Sequence, residues 1–173
     1  MSHTHENRDD KVSLVEMGPR DGLQNETATL SLAQRLALIA RLAESGLQRI
    51  EVGAFVSPKK VPQMADSAAL FNALPRRGPT RYAALVPNLQ GLQAAIAARA
   101  DEIGLFTACS DGFTRANIGI SVEESLVRFA PLVQEARSLG IKVRGYLSTV
   151  IACPFDGPTR PKRVAALAER LLD

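Results

Sequence analysis

The sequence predicts an α/β fold in which parallel strands alternate with helices. Five short apolar runs occur along the chain, and each is followed by apolar residues at helical spacing. The repeat averages about 32 residues, the size of one βαβ unit. Strands connected in this way form right-handed crossovers within one parallel sheet, in the order 1-2-3-4-5 if each strand lies beside the last.

The five predicted strands are the apolar runs that stop at a turn or at the start of a loop. They cover Val12–Met17, Arg49–Val56, Arg81–Val86, Glu102–Phe106 and Lys142–Val150. Gly18-Pro19 ends the first run and Ser57-Pro58 ends the second. No low-complexity linker interrupts the repeat, so the sequence predicts one domain.

The first three helices carry recognisable start and stop signals. An apolar stripe over Leu32–Ala43 predicts the first, and Gly46 lies where a helix C-terminal cap is expected. Pro62 is placed to open the second helix, which carries Met64–Leu74. Asn88 is the expected N-cap of the third helix.

A long loop, Thr107–Asn117, is expected after the fourth strand. Ser121 and Glu124 then form a capping box ahead of the stripe Leu126–Ala136. The last helix is predicted near Pro161–Leu172.

Two architectures share this repeat: a flavodoxin-like sheet of five strands, and an eight-unit barrel that needs about 250 residues. Glu16, Glu51 and Arg144 lie within strands, although strands buried on both faces normally read as apolar runs. Buried charges need partners or a polar cavity. A barrel interior that is polar near its mouth would accommodate all three, while ion pairs near strand ends of an ordinary sheet remain the alternative.

Composition excludes several function classes. The 173 residues include 46% hydrophobic and 23% charged residues, and the net charge is only +3. Basic residues are scattered and aromatic residues make up 5%, which argues against nucleic-acid binding. No apolar stretch reaches the roughly 18 residues of a membrane span, and residues 1–11 form a polar leader, expected to be flexible, without the apolar core of a signal peptide. A cytoplasmic protein without nucleic-acid or membrane partners is expected, with Cys109 and Cys153 as free thiols.

The richest candidate site follows the first strand. Arg20 and Asp21 place a cation beside a carboxylate in a Gly-rich turn, at the strand end where parallel α/β folds bind ligands. An Asp there can ligate a hard divalent cation, and the guanidinium can stabilise negative charge on a substrate oxygen. Gln24 can donate a hydrogen bond, and Glu51 on the next strand can hold Arg20 in place. A surface Arg–Asp pair in a Gly-rich loop is the competing interpretation.

Other catalytic chemistry finds no support in the sequence. It contains neither a Walker-type loop nor a dinucleotide-binding Gly-x-Gly-x-x-Gly fingerprint. His3 and His5 lie in the polar leader, where no strand or helix orients them as metal ligands. The two cysteines have no His in the folded region to activate them.

The sequence resembles the hydroxymethylglutaryl-CoA lyases, which belong to the metal-dependent TIM-barrel lyases and synthases. The Arg-Asp-Gly triplet alone marks the wider superfamily, whereas the strings GPRDGLQNE and FVSPK resemble the lyase branch. The resemblance rests on Val15–Glu26, Ile50–Lys59, Val61–Asp66, Val86–Asn88, Phe113–Ile118, Val143–Tyr146 and Cys153–Phe155.

The resemblance implies a (β/α)8 barrel of the TIM type, truncated here to about five βα units, with residues 12–173 as the N-terminal part of the lyase domain. It implies retro-Claisen cleavage of 3-hydroxy-3-methylglutaryl-CoA to acetoacetate and acetyl-CoA with Mg²⁺ or Mn²⁺, and allows a homodimer. Asp21 matches the family's metal ligand, Arg20 the enolate-stabilising Arg, and Glu51 an active-site Glu. Gln24 and Ser110 are placed as residues that bind the acyl-CoA substrate.

The chain departs from the family pattern by lacking the later His-x-His and Asn metal ligands and the Gly-rich loop with a catalytic Cys. A single carboxylate holds Mg²⁺ weakly, because water supplies the remaining ligands. The chain by itself is therefore expected not to turn over. A related Claisen-type synthase or carboxyltransferase, and a non-catalytic five-stranded α/β module, are the alternatives.

Overall fold

The computed structural model describes residues 12–76 and 78–172. The predicted leader at residues 1–11, with His3 and His5, lies outside the described residues. The strands are β1 (Arg49–Ala54), β2 (Arg81–Leu85), β3 (Glu102–Ala108), β4 (Lys142–Ser148), β5 (Ala152–Cys153) and β6 (Gly157–Pro158). The α-helices are α1 (Leu32–Glu44), α2 (Ser67–Ala73), α3 (Leu89–Ala97), α4 (Asp111–Ile118), α5 (Val122–Ser138) and α6 (Pro161–Leu172).

The central sheet is parallel, and its strands follow one another in the order β1-β2-β3-β4. This confirms the predicted sequential order. One face of the sheet packs against helices through a buried apolar cluster that includes Ile50, Val52, Ile103 and Leu105. Because side chains alternate along a strand, Glu51 points to the opposite face.

The predicted first strand, Val12–Met17, is wrong as an extended strand. Only Glu16 pairs with the sheet, in a single parallel bridge to Ile50. Its N–H donates to the Arg49 carbonyl at 2.9 Å. Val12 and Leu14 are 86% and 69% exposed, so their apolar side chains gain no packing that would hold a longer ladder.

Most of the predicted helices are confirmed. α1 ends before Gly46, which has a φ of +93°. Asn88 caps α3 by accepting a hydrogen bond from the Gly91 N–H at 2.9 Å. The predicted capping box of Ser121 and Glu124 is present at α5. Among the described residues, no helix is both long and apolar enough to cross a membrane.

Two segments differ from the prediction. The helix expected over Met64–Leu74 is split into a 3₁₀ turn, Pro62–Met64, and α2, and at the junction the Met64 carbonyl accepts from the Ser67 hydroxyl. The loop expected over Thr107–Asn117 contains α4, which Ser110 caps by accepting from the Phe113 N–H at 3.2 Å. The helix is only eight residues long and its one buried residue is the polar Thr114, so no run of apolar residues marks it.

Candidate active site

A tight turn at the end of the first segment presents Arg20 and Asp21. Directly after the Glu16 bridge, the chain makes one π-helical turn, Gly18–Gly22. The Met17 carbonyl accepts from the Arg20 N–H at 3.1 Å and from the Asp21 N–H at 2.7 Å. The two side chains diverge: that of Arg20 is 9% exposed and that of Asp21 is 60% exposed.

The buried Arg20 side chain is held between two carboxylates. Its Nε donates to Oε1 of Glu51, whose side chain is fully buried. Its Nη1 donates to Oδ1 of Asp21 at 2.7 Å. The structure thus brings Arg20, Asp21 and Glu51 together. The contact between Arg20 and Glu51 matches the prediction, and because the Arg20 side chain is buried, a surface Arg–Asp pair does not describe this geometry.

Tyr146 is a further member of the site that was not singled out from the sequence. Its hydroxyl donates to Oε2 of Glu51 at 2.5 Å, so both oxygens of that carboxylate accept a hydrogen bond. Burial, together with the hydrogen bond and the negative charge of Glu51, raises the pKa of the Tyr146 hydroxyl well above its usual range. The alternation of Arg144 and Tyr146 along β4 was the available signal, since both face the side of the sheet that carries Glu51.

Gly104 on β3 makes room for this contact. A Cβ at position 104 would lie 2.7 Å from Cε2 of Tyr146 and 3.3 Å from Oε2 of Glu51. The first distance is too short for a methyl group. The glycine is therefore required by the close approach of two functional side chains.

A second layer of charged side chains lies on the face of the sheet that carries Glu51, nearer the ends where the strands begin. Glu102 of β3 accepts hydrogen bonds from Nη2 of Arg49 and, at 2.8 Å, from Nε of Arg144. The Glu102 side chain is 4% exposed, while each guanidinium is 29% exposed. Glu16 accepts instead from the Gly18 N–H at 2.6 Å. Each charged residue singled out within a predicted strand thus has a partner.

The two predicted substrate-binding residues occupy different surroundings. Gln24 lies two residues after the Gly18–Gly22 turn and is half-buried. Ser110 is buried, and besides capping α4 its hydroxyl donates to Sγ of Cys153 at 2.8 Å. Ser110 therefore belongs to a hydrogen-bonded group between α4 and β5.

Cys109 and Cys153 are both free, as predicted, and both are buried. Burial raises the pKa of the Cys109 thiol. Burial alone would also raise the pKa of Cys153, but hydrogen bonds from the Ser110 hydroxyl and from the N–H groups of Phe155 and Asp156 outweigh it, so the pKa of Cys153 is lowered. The two thiols thus differ in acidity.

The candidate site supplies only part of the coordination sphere of a divalent cation. The described residues contain no group of three or more His, Cys, Asp or Glu side chains arranged to hold a metal. Asp21 does offer an exposed carboxylate, the hard oxygen ligand that Mg²⁺ and Mn²⁺ accept together with water. The residues present therefore fit such an ion through one protein ligand.

The chain is similar to known proteins both in family and in sequence. The model of the family described as HMGL-like matches residues 11–173. The chain is 48% identical over 161 residues to the 3-hydroxy-3-isohexenylglutaryl-CoA/hydroxymethylglutaryl-CoA lyase of Pseudomonas aeruginosa, covering 93% of this chain and 54% of that protein. It is 49% identical over 162 residues to the hydroxymethylglutaryl-CoA lyase of Pseudomonas mevalonii, with 94% and 54% coverage.

The three-dimensional similarity is equally close. The crystal structure of hydroxymethylglutaryl-CoA lyase from Pseudomonas aeruginosa superimposes with a TM-score of 0.90 at 48% identity, covering 94% of this chain and 54% of that one. The chain thus spans about half the length of the curated relatives it matches. These matches confirm the α/β fold class of the TIM-barrel type over the flavodoxin-like alternative.

Proposed function

The chain belongs to the HMGL-like family, and from that premise we propose that it carries part of a hydroxymethylglutaryl-CoA lyase active site. The proposed reaction is the retro-Claisen cleavage of 3-hydroxy-3-methylglutaryl-CoA to acetoacetate and acetyl-CoA. Residues 12–173 are proposed as the N-terminal part of the lyase domain. The single observation that carries the proposal is the buried pair of Arg20 and Glu51 with the exposed carboxylate of Asp21 beside it.

Arg20 is proposed to stabilise the negative charge that develops on the thioester oxygen when the carbon–carbon bond breaks. A fixed cation aimed at the place where charge develops is effective because it needs no reorganisation during the reaction. Glu51 fixes the guanidinium through Nε, and Nη1 is directed toward the exposed Asp21. The charge of Arg20 thus lies at the border between the buried interior and solvent.

Asp21 is the proposed metal ligand, with water completing the coordination. A bound Mg²⁺ or Mn²⁺ would supply electrophilic polarisation of a substrate oxygen. Tyr146 donates its proton to Glu51 in a hydrogen bond and so helps to keep that carboxylate oriented toward Arg20. Gln24 and Ser110 remain predicted acyl-CoA contacts.

The remaining assignments are proposals of the same kind. The substrate is an acyl-CoA, and neither nucleic acid nor a membrane is expected as a partner. Cytoplasmic localisation and a homodimer stay predictions. A condensing synthase or a carboxyltransferase of the same superfamily is the second candidate, and the longer string GPRDGLQNE favours the lyase.

A chimera tests the proposal without requiring the chain to turn over by itself. Residues 12–173 would replace the aligned part of the 48% identical Pseudomonas aeruginosa relative, and acetoacetate formation from 3-hydroxy-3-methylglutaryl-CoA would be measured with Mn²⁺. Arg20→Gln in the chimera is expected to lower kcat by about 10²–10³-fold. Arg41→Gln on α1 is the matched control and should leave kcat unchanged. A folded chimera without lyase activity, or an equal effect of both variants, would contradict the proposal.

A further inference from the structure

β1 contains an irregularity directly after Glu51. Glu51 is paired with Ala83 of β2, but the next pair joins Gly53 to Ala84, so Val52 is an extra residue without a register partner. Such a bulge bends a strand and redirects the neighbouring side chains, and bulges are frequent beside active sites. The bulge therefore lies directly beside the residue that contacts both Arg20 and Tyr146.

A buried arginine from α1 binds the extra residue. Nη2 of Arg35 donates to the Val52 carbonyl at 2.9 Å, and Arg35 is only 1% exposed. Its Nη1 donates to the Asp66 carboxylate and, at 3.3 Å, to the Gln63 carbonyl. The same guanidinium thus connects the bulge with the loop that follows β1.

Ser67 binds the other side of the bulge. Its hydroxyl accepts from the Ala54 N–H at 3.1 Å and donates to the Met64 carbonyl at 2.8 Å. The space between these groups is closed: a Cβ on Gly53 would lie 2.7 Å from Oγ of Ser67. Two side chains from outside the sheet therefore bind backbone groups on both sides of Gly53.

Stability alone is a weak explanation for Arg35. Burying a guanidinium costs several kcal/mol in desolvation, and apolar replacements of buried ion pairs are often neutral or stabilising. Moreover, Nε of Arg35 is buried without a hydrogen-bond partner. We therefore expect Arg35 to fix the position of the groups that it contacts more than to stabilise the fold.

We propose that Arg35 is a positioning residue which, together with Ser67, holds the bulge at Val52 and thereby directs the Glu51 carboxylate toward Arg20 and Tyr146. The functional meaning of this alignment rests on the proposed lyase site. The alignment itself is a property of the folded chain and can be measured without substrate, so its failure is distinguishable from failure of the proposed function.

The chain carries a natural reporter of this alignment, because it has only two tyrosines and no tryptophan. With ¹³Cζ-labelled tyrosine, Tyr146 reports on the contact with Glu51, while Tyr82 lies in the apolar cluster on the other face of the sheet, beside Arg76. In Arg35→Met, the Tyr146 signal should shift or broaden and the Tyr82 signal should stay in place. Asp66, left without its partner, is about one-third exposed and can be solvated.

Arg76→Met is the matched control. Arg76 also binds carbonyl groups, those of Phe71 and Ala98, but its guanidinium lies 5.9 Å from the Tyr82 ring. It should move the Tyr82 signal and leave that of Tyr146 unchanged. A folded Arg35→Met protein with an unchanged Tyr146 signal, or with equal shifts of both signals, would overturn the proposal.

Ser67→Ala decides the question if Arg35→Met does not fold. It removes one hydroxyl and should again move the Tyr146 signal selectively, with faster hydrogen exchange of the Ala54 amide. An unchanged Tyr146 signal in folded Ser67→Ala would then reject the proposal.

Arg35→Lys should return the Tyr146 signal part of the way to its position in the parent chain. One ammonium group can reach the Val52 carbonyl or Asp66, but it lacks the fork that binds both. Lyase activity, measured separately in the chimera, tests the proposed function alone.

Discussion

The Tyr146 hydroxyl on β4 donates a hydrogen bond to Glu51 on β1 at 2.5 Å, although β2 and β3 lie between these strands. Small residues on the intervening strands allow it: Ala83 is the register partner of Glu51 on β2, and Gly104 lies beneath the contact on β3. The contact spans the sheet and makes Glu51 the centre of the candidate site.

Gly104→Ala should separate Tyr146 from Glu51. The new methyl group would lie 2.7 Å from Cε2 of Tyr146, so the ring must move. We expect the free energy of unfolding to fall by about 1–3 kcal/mol, measured by urea denaturation. Gly145→Ala is the control, because its methyl group would meet Leu171 at an ordinary 3.6 Å. Equal losses in the two variants would contradict this prediction.

Glu51→Gln should destabilise the fold strongly. It leaves the buried Arg20 guanidinium facing a neutral amide, and removal of one partner from a buried ion pair costs about 3–5 kcal/mol. Asp21→Asn removes the exposed partner of the same arginine and should cost at most about 1 kcal/mol. Denaturant midpoints of the two variants provide the comparison, and a larger loss in Asp21→Asn would refute the central role of Glu51.

Alkaline pH should weaken the fold through Tyr146. The pKa of its hydroxyl is raised in the folded state, so between the ordinary value of 10.0 and the folded value only the unfolded chain loses this proton. The stabilisation is therefore complete below about pH 10 and declines as the pH rises, by at most about 1.4 kcal/mol per pH unit. Tyr146→Phe should flatten the pH dependence of stability relative to the parent chain. Identical slopes above pH 10 would contradict the assignment.

Divalent cations should bind weakly to this chain. Asp21 is the one proposed protein ligand, and we expect a dissociation constant for Mn²⁺ of about 10⁻³ M or weaker by isothermal titration. Asp21→Asn should abolish the remaining saturable binding. Tight one-to-one binding, or binding that survives this substitution, would show that the cation is held elsewhere.

Cys153 should react before Cys109 with a small thiol reagent such as methyl methanethiosulfonate. The lowered pKa of Cys153 increases its thiolate fraction, whereas burial raises the pKa of Cys109. Ser110→Ala removes one donor to Sγ of Cys153 and should slow its modification at neutral pH. Peptide mass spectrometry identifies the modified thiol. Preferential modification of Cys109 would contradict the hydrogen-bond pattern.

Local sequence signals were sufficient for much of the fold. The capping box of Ser121 and Glu124 and the cap at Asn88 are short-range patterns, and both appear in the structure. The strand predicted over Val12–Met17 was wrong, because an apolar run does not show whether another part of the chain will pack against it. α4 was missed because it is short and its one buried residue is Thr114, so the cap at Ser110 is its main sequence signal.

The candidate site was likewise predicted from the sequence only in part. Arg20, Asp21 and Glu51 were found because a strand end and a neighbouring strand bring them together in any parallel sheet. The role of Tyr146 depends on Gly104, a residue 42 positions earlier whose missing side chain admits the contact. Arg35 contacts a bulge in β1, and no local sequence pattern predicts a change of register between two strands.

The charge layer formed by Arg49, Glu102 and Arg144 affects which molecules this face of the sheet attracts. Two guanidinium groups share one carboxylate, so the layer carries an excess of one positive charge. Because each guanidinium is only 29% exposed, mobile ions screen this excess only partly. The resulting local field favours the anionic parts of a bound molecule near the ends where these strands begin, whereas the exposed carboxylate of Asp21 favours a cation near the Gly18–Gly22 turn.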